Sequence, residues 1–202
     1  MSKDADVHEL LVRARRGDSA AFVEFATRWW TPVYRIAWNM LGSASEAAAA
    51  TEQTLVLVVR FPESVGYDVP FGISLRGAAM DILFLRCPQP RRFPAESLDV
   101  LPPRFDAGDC LSSPGEDWSD LADGVFQRPD LAETIRGMLQ RFDDLDRAAF
   151  VLREIEQFSV EETVAILRIP VDEVRARSHR ATVLLTGLLW RLRADSQPSG
   201  KA

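Results

Sequence analysis

The sequence predicts an all-α protein of two helical domains joined by a long linker, the C-terminal one containing a helix-turn-helix. Three observations lead to this reading. Apolar residues recur at helical spacing through most of residues 1–86. Prolines and acids then interrupt any period across residues 87–128. Helical patterning returns after Pro129 and holds to about Ala194. The chain therefore divides into an N-terminal domain (1–86), a linker (87–128), a C-terminal domain (129–194) and a tail (195–202).

The elements follow in order. Val7, Leu10, Leu11 and Ala14 mark a first helix, which Gly17 can end, and Asp18 can cap the next. Phe22, Phe25, Trp29, Val33, Ile36, Ala37 and Met40 form one stripe along residues 19–41, where Pro32 predicts a kink. After a break at Gly42-Ser43, an alanine-rich run leads into Leu55 to Val59. The valines favour strand, but the alanines and the length favour helix. Pro62 to Pro70 reads as a loop, and residues 71–86 as a helix weakened by Gly72 and Gly77. Six prolines and eight acids make residues 87–128 a mostly extended linker. Beyond it, Leu131 to Leu139 and Ala148 to Ile155 predict two helices. Ser159-Val160-Glu161-Glu162 is a capping box that opens a third. A break at Arg168-Ile169-Pro170 precedes a last helix from about Val171 to Leu192.

Composition sets bounds on function. Hydrophobic residues make up 47% and charged residues 27% of 202 residues, an ordinary soluble composition. No apolar run reaches the roughly 18 residues of a membrane span, and the polar stretch Met1 to Asp6 is not a signal peptide. A cytoplasmic protein without membrane insertion is expected. Cys87 and Cys110 are too few for a disulfide framework and read as unpaired thiols. There is no nucleotide-binding glycine loop, no Ser/His/Asp set and no metal-ligand spacing, and His8 and His179 are far apart. No enzyme activity, cofactor or metal is expected.

The net charge of −6 hides a local pattern: Val174 to Ala194 holds five arginines and no acid. A basic stripe matters more than the mean for binding a polyanion. Val174, Ser178, Ala181, Leu185 and Leu188 form an inward face of the last helix. Asp172, Glu173, Arg175, Arg177, His179 and Arg180 form the opposite face, which suits a recognition helix in a major groove. An amphipathic surface helix with a solvated charged face shows the same pattern, and periodicity does not separate the two.

The stretch from Phe150 to Ala181 closely resembles the C-terminal domain of extracytoplasmic-function sigma factors. Gly17-Asp18-Ser19-Ala20-Ala21-Phe22, then Pro32-Val33-Tyr34-Arg35-Ile36-Ala37 and Leu41-Gly42, are similar to the family's N-terminal domain. Glu96-Ser97-Leu98-Asp99, Leu101-Pro102 and Arg104-Phe105-Asp106 resemble linkers in one branch of it. The resemblance covers most of the chain in the family's order.

The resemblance implies a subunit that lends promoter recognition to core RNA polymerase, with promoter DNA and an anti-sigma factor as further partners. It implies minus-thirty-five contacts from Glu173, Arg175, Arg177 and Arg180. Minus-ten contacts would come from Arg86, Arg91 and Arg92, and polymerase contacts from Thr51, Glu52, Gln53 and Leu55. The acidic first position of the family's polymerase-docking motif is alanine here, Ala49. Arg168 stands where the turn of the helix-turn-helix has glycine, so a left-handed turn would strain it. Phe71 and Phe84 are open to two readings, base stacking or core packing. The linker is likewise open to two, an RNA-mimicking segment or a solvated tether. The alternative to a working sigma factor is a degenerate relative that binds an anti-sigma factor or polymerase without initiating transcription.

Overall fold

The computed structural model describes residues 3–65, 69–87 and 131–196. The linker beyond Cys87, with Arg91, Arg92 and Cys110, lies outside the described residues. The described chain is helical throughout its regular elements: α1 (Lys3–Arg15), α2 (Ser19–Leu41), α3 (Ala44–Arg60), a 3₁₀ turn (Pro62–Ser64), α4 (Phe71–Arg86), α5 (Leu131–Leu139), α6 (Asp144–Phe150), a π-helical turn (Val151–Ile155), α7 (Val160–Leu167) and α8 (Val171–Ser196).

Local chemistry sets most boundaries. Asp18 accepts from the backbone N–H groups of Ala20 and Ala21 at 3.0 and 3.1 Å, capping α2 behind the left-handed Gly17. Gly42 closes the same helix with φ 70°. α2 runs through Pro32 as one helix from Ser19 to Leu41, although an interior proline costs a backbone hydrogen bond. Tertiary burial compensates, because Val33, Ile36, Ala37 and Met40 are all at most 1% exposed. The valine-rich end of α3 is helical for the same reason: Leu55, Val58 and Val59 are buried against α1, α2 and α4.

The N-terminal helices enclose a core of Val7, Leu11, Phe25, Val33, Leu55, Val58 and Leu75. Phe71 belongs to its edge, edge-on to Phe25 at 6.1 Å and to Trp29 at 5.2 Å, and Phe84 packs on the neighbouring core. Both residues pack rather than stand free for stacking. A separate cluster of Met138, Leu139, Phe142, Phe150, Ala181, Leu184 and Leu185 seats α8 on α5 and α6.

The two halves also share a core. Ile36, Met40, Ala50, Met80 and Leu83 pack with Ala148, Val151, Leu152, Ile166 and Leu167 in one continuous cluster. Polar contacts fasten the same seam. Arg35 pairs with Glu156 at 3.0 Å, and Arg168 with Asp81 at 3.1 Å. Arg76 lies over the Phe158 ring at 4.9 Å. Gly77 in α4 permits this approach: a Cβ there would sit 3.3 Å from Nη2 of Arg168 and 3.5 Å from the carbonyl of Ile166.

Arg147 is the centre of the seam and is fully buried. Its guanidinium donates to the carbonyls of Met40 (2.6 Å) and Phe142 (3.2 Å), to Gln140 Oε1 (3.1 Å) and to Asp144 Oδ1 (3.1 Å). Cys87 Sγ lies 3.7 Å from its Nη1. Burial pushes the Cys87 thiol up to about 11, so it stays neutral and serves as packing rather than as a nucleophile.

Candidate nucleic-acid interface

The helix-turn-helix starts at Ser159. Its Oγ accepts from the Glu162 N–H at 3.1 Å, and Glu162 Oε2 accepts from the Ser159 N–H at 2.8 Å. This reciprocal cap fixes the start of α7. Ser159→Ala is expected to cost about 1 kcal/mol, the usual value of such a cap; urea denaturation measures it. At the other end, Arg168 takes the left-handed conformation (φ 56°, ψ 38°) that the missing glycine would adopt freely. Its side chain offsets part of that cost through Asp81. Ile169 and Pro170 then lead into α8, and the Val174 N–H donates to the Pro170 carbonyl at 3.0 Å.

α8 has two faces. Val174, Ser178, Ala181 and Leu185 point inward, each at most 9% exposed, together with Leu184. The Leu188 side chain lies outside the described residues. Asp172, Arg175, His179 and Arg180 face solvent, and the Arg175 and Arg180 side chains are 65% and 51% exposed. Among the described residues Arg175 pairs with Asp172, at 3.9 Å.

Arg177 differs from its neighbours. Its side chain, 26% exposed, turns into an acidic notch formed by α6 and its N-cap. It donates to Glu173 at 2.8 Å, to Asp146 at 3.0 Å and to Asp143 at 3.4 Å. Arg180 reaches the other oxygen of Asp146 at 3.4 Å. Burial raises the Asp146 carboxyl above its ordinary range, while Arg180 and Arg177 draw it back down. Arg177 thus anchors α8 to α6. Its guanidinium is therefore engaged by several carboxylates, whereas Arg175, expected beside it at DNA, faces outward. Glu173 is turned toward Arg177 and remains partly open.

The expected polymerase residues also separate by face. Thr51 is fully buried and donates to the Ala47 carbonyl at 2.7 Å, and Leu55 lies in the core. Neither side chain can meet a partner while α3 is packed in this way. Glu52 and Gln53 are exposed. Gln53 Oε1 accepts from Arg86 at 2.7 Å, and Arg86 Nη1 lies 3.4 Å from Glu46 Oε2. The minus-ten candidate on α4 is therefore tied to the polymerase-binding candidate on α3. Among the described residues no cluster of His, Cys, Asp or Glu could hold a metal ion. No described helix is long and apolar enough to cross a membrane.

A short-turned helix pair, with one helix presenting arginines outward, defines the helix-turn-helix class on an all-α scaffold. The chain matches no protein-family model. It is 24% identical over 179 residues to the ECF RNA polymerase sigma factor SigW of Bacillus subtilis (strain 168), covering 86% of this chain and 91% of SigW. The solved structure of CnrH in complex with the cytosolic domain of CnrY superposes with a TM-score of 0.57 at 20% identity. That match covers 93% of this chain and 97% of CnrH, and it shows the fold. In sequence the chain is thus similar to an ECF RNA polymerase sigma factor, and in fold to CnrH.

Proposed function

We propose that this protein is a sigma factor that binds core RNA polymerase and directs promoter-specific transcription initiation. The observation that carries the reading is the outward face of α8, where Arg175 and Arg180 project beside a helix back packed on α5 and α6. Such a helix can enter a major groove without disturbing its own core. In this reading residues 129–194 recognise the upstream element, and residues 1–86 hold polymerase through Glu52 and Gln53 and the proximal element through Arg86. Arg91 and Arg92 extend that basic end in sequence. The protein supplies recruitment and positioning, and polymerase supplies the chemistry. It works where polymerase works, in the cytoplasm. An anti-sigma partner is proposed from the likeness to CnrH, which was solved with the cytosolic domain of CnrY.

Run-off transcription with purified core polymerase and fragmented genomic templates tests the reading. Discrete products that depend on this protein are expected; stable core binding with no promoter-specific product would remove it.

A second reading, a sigma-like regulator that does not initiate, is favoured by one observation. Arg86 is held by Gln53 and Glu46, and α4 is covered by α7 and the Arg168 turn. The same run-off experiment separates the two.

A further inference from the structure

Two adjoining hollows, of about 340 and 400 Å³, lie where the end of α1 meets α2, the end of α3 and Pro62. Arg15 lines both. The walls are mainly aliphatic, with Val12 on one side and Val56 and the half-buried Phe22 on the other. Three exposed arginines, Arg15, Arg16 and Arg60, stand around this floor.

These three are set apart by what they lack. Among the described residues, no carboxylate, carbonyl or aromatic ring engages their guanidinium groups. The other guanidinium groups with described side chains are engaged: in ion pairs such as Arg13 with Asp18 and Arg28 with Asp6, on aromatic rings as for Arg136 over Trp38, or by carbonyls as for Arg153. In a chain of net charge −6, three unanswered cations gathered around one apolar cleft are a surface complementary to carboxylates.

We propose that this cleft docks an acidic amphipathic helix of a partner polypeptide. Its apolar side chains, at helical spacing, would cover Val12, Phe22 and Val56. Its flanking carboxylates would pair with Arg15, Arg16 and Arg60, bidentate where the guanidinium fork allows. A nucleic-acid strand fits less well, because bases stack on broad open aromatic faces, and the rings here are the half-buried Phe22 and the small imidazole of His8 among aliphatic walls. The inference stands on α1, α2 and α3 alone and is independent of the DNA reading of α8.

The test uses the full chain and a synthetic peptide of about 14 residues, near the length at which a helix holds. The peptide carries leucines at i, i+3, i+4 and i+7 and glutamates elsewhere. An isomer of the same composition with the spacing scrambled is the control. Nitrogen-15 NMR reads the arginine Nε–H signals, and fluorescence anisotropy reads affinity. The peptide is expected to move the Arg15, Arg16 and Arg60 signals and to bind at least about tenfold more tightly than its isomer, a difference of about 1.4 kcal/mol. The double variant Arg15→Glu/Arg60→Glu should lose at least about tenfold in affinity, each lost charge pair being worth a large share of such an interface. Arg15→Gln/Arg60→Gln gives the same reading should the reversal disturb folding. Equal binding of peptide and isomer would overturn the proposal, as would unchanged affinity in both double variants. So would a short oligothymidylate that displaces the peptide and moves the same signals, or a second copy of the chain burying the cleft as concentration rises. Movement of the cleft signals on Trp118→Glu/Leu121→Glu without peptide would also overturn it, by showing that the chain's own acidic linker is the occupant.

Discussion

Replacing Arg147 with methionine is expected to cost about 3–5 kcal/mol of folding stability, the loss typical when one member of a buried ionic network is removed. The reason is the number of groups that depend on this one side chain. Met40 lies in the last turn of α2, where carbonyls have no intrahelical donor, and Arg147 supplies one at 2.6 Å. It supplies the Phe142 carbonyl and the Gln140 amide oxygen as well, and it neutralises Asp144. Methionine fills the volume but leaves these acceptors buried without donors. Domains of this size are stable by about 5–15 kcal/mol, so the variant should stand near the folding threshold. Lysine should recover only part of the loss, since a point charge cannot replace a planar fork that serves several acceptors. Urea denaturation followed by circular dichroism measures the effect, and a loss below about 1 kcal/mol, the value of an exposed ion pair, would contradict the assigned role. Because the network joins α2 to α5 and α6, both halves should lose stability together.

The second large effect is on DNA. Converting Arg175 and Arg180 together to alanine is expected to weaken promoter binding by the polymerase complex. A lost base contact costs about 1–3 kcal/mol, and a lost phosphate contact lowers the salt slope by about one unit. The same substitution at Arg177 should behave differently. It leaves Asp146, whose side chain is 2% exposed, with only Arg180 beside it, and so should act first on stability. Anisotropy titrations with labelled promoter duplex at several salt concentrations distinguish the two classes. If Arg177→Ala lost only DNA affinity while Arg175→Ala/Arg180→Ala bound normally, the assignment of faces on α8 would be wrong.

These two cases show what was legible in the sequence. The capping box at Ser159 and Glu162 could be read because both partners lie within one turn. The inward stripe of α8 could be read because helical periodicity is local. The left-handed Arg168 was legible as a departure from a family pattern, though not its partner Asp81, 87 residues away. Arg147 was not legible. In sequence it is one more charge on a short helix, between Asp146 and Ala148. Its burial is decided by the end of α2, 107 residues earlier. Arg175 and Arg177 look alike along the chain, and only the position of α6 separates an outward-facing cation from a structural one. Pro32 marks a possible break by a local rule, and it is the packing along the buried face of α2 that carries the helix through it from Ser19 to Leu41. Gly77 weakens a helix on propensity grounds; its use, room for the end of α7, emerges only when the two halves meet.

The measurement that bears most directly on the whole account is co-purification of the full chain with core RNA polymerase, followed by sequencing of the DNA held by the complex. Recovery of polymerase together with one recurrent two-part sequence motif is the expected result, and the upstream part should fade in the Arg175→Ala/Arg180→Ala variant. Tight binding of duplex DNA by the chain alone, with no polymerase recovered, would contradict the account.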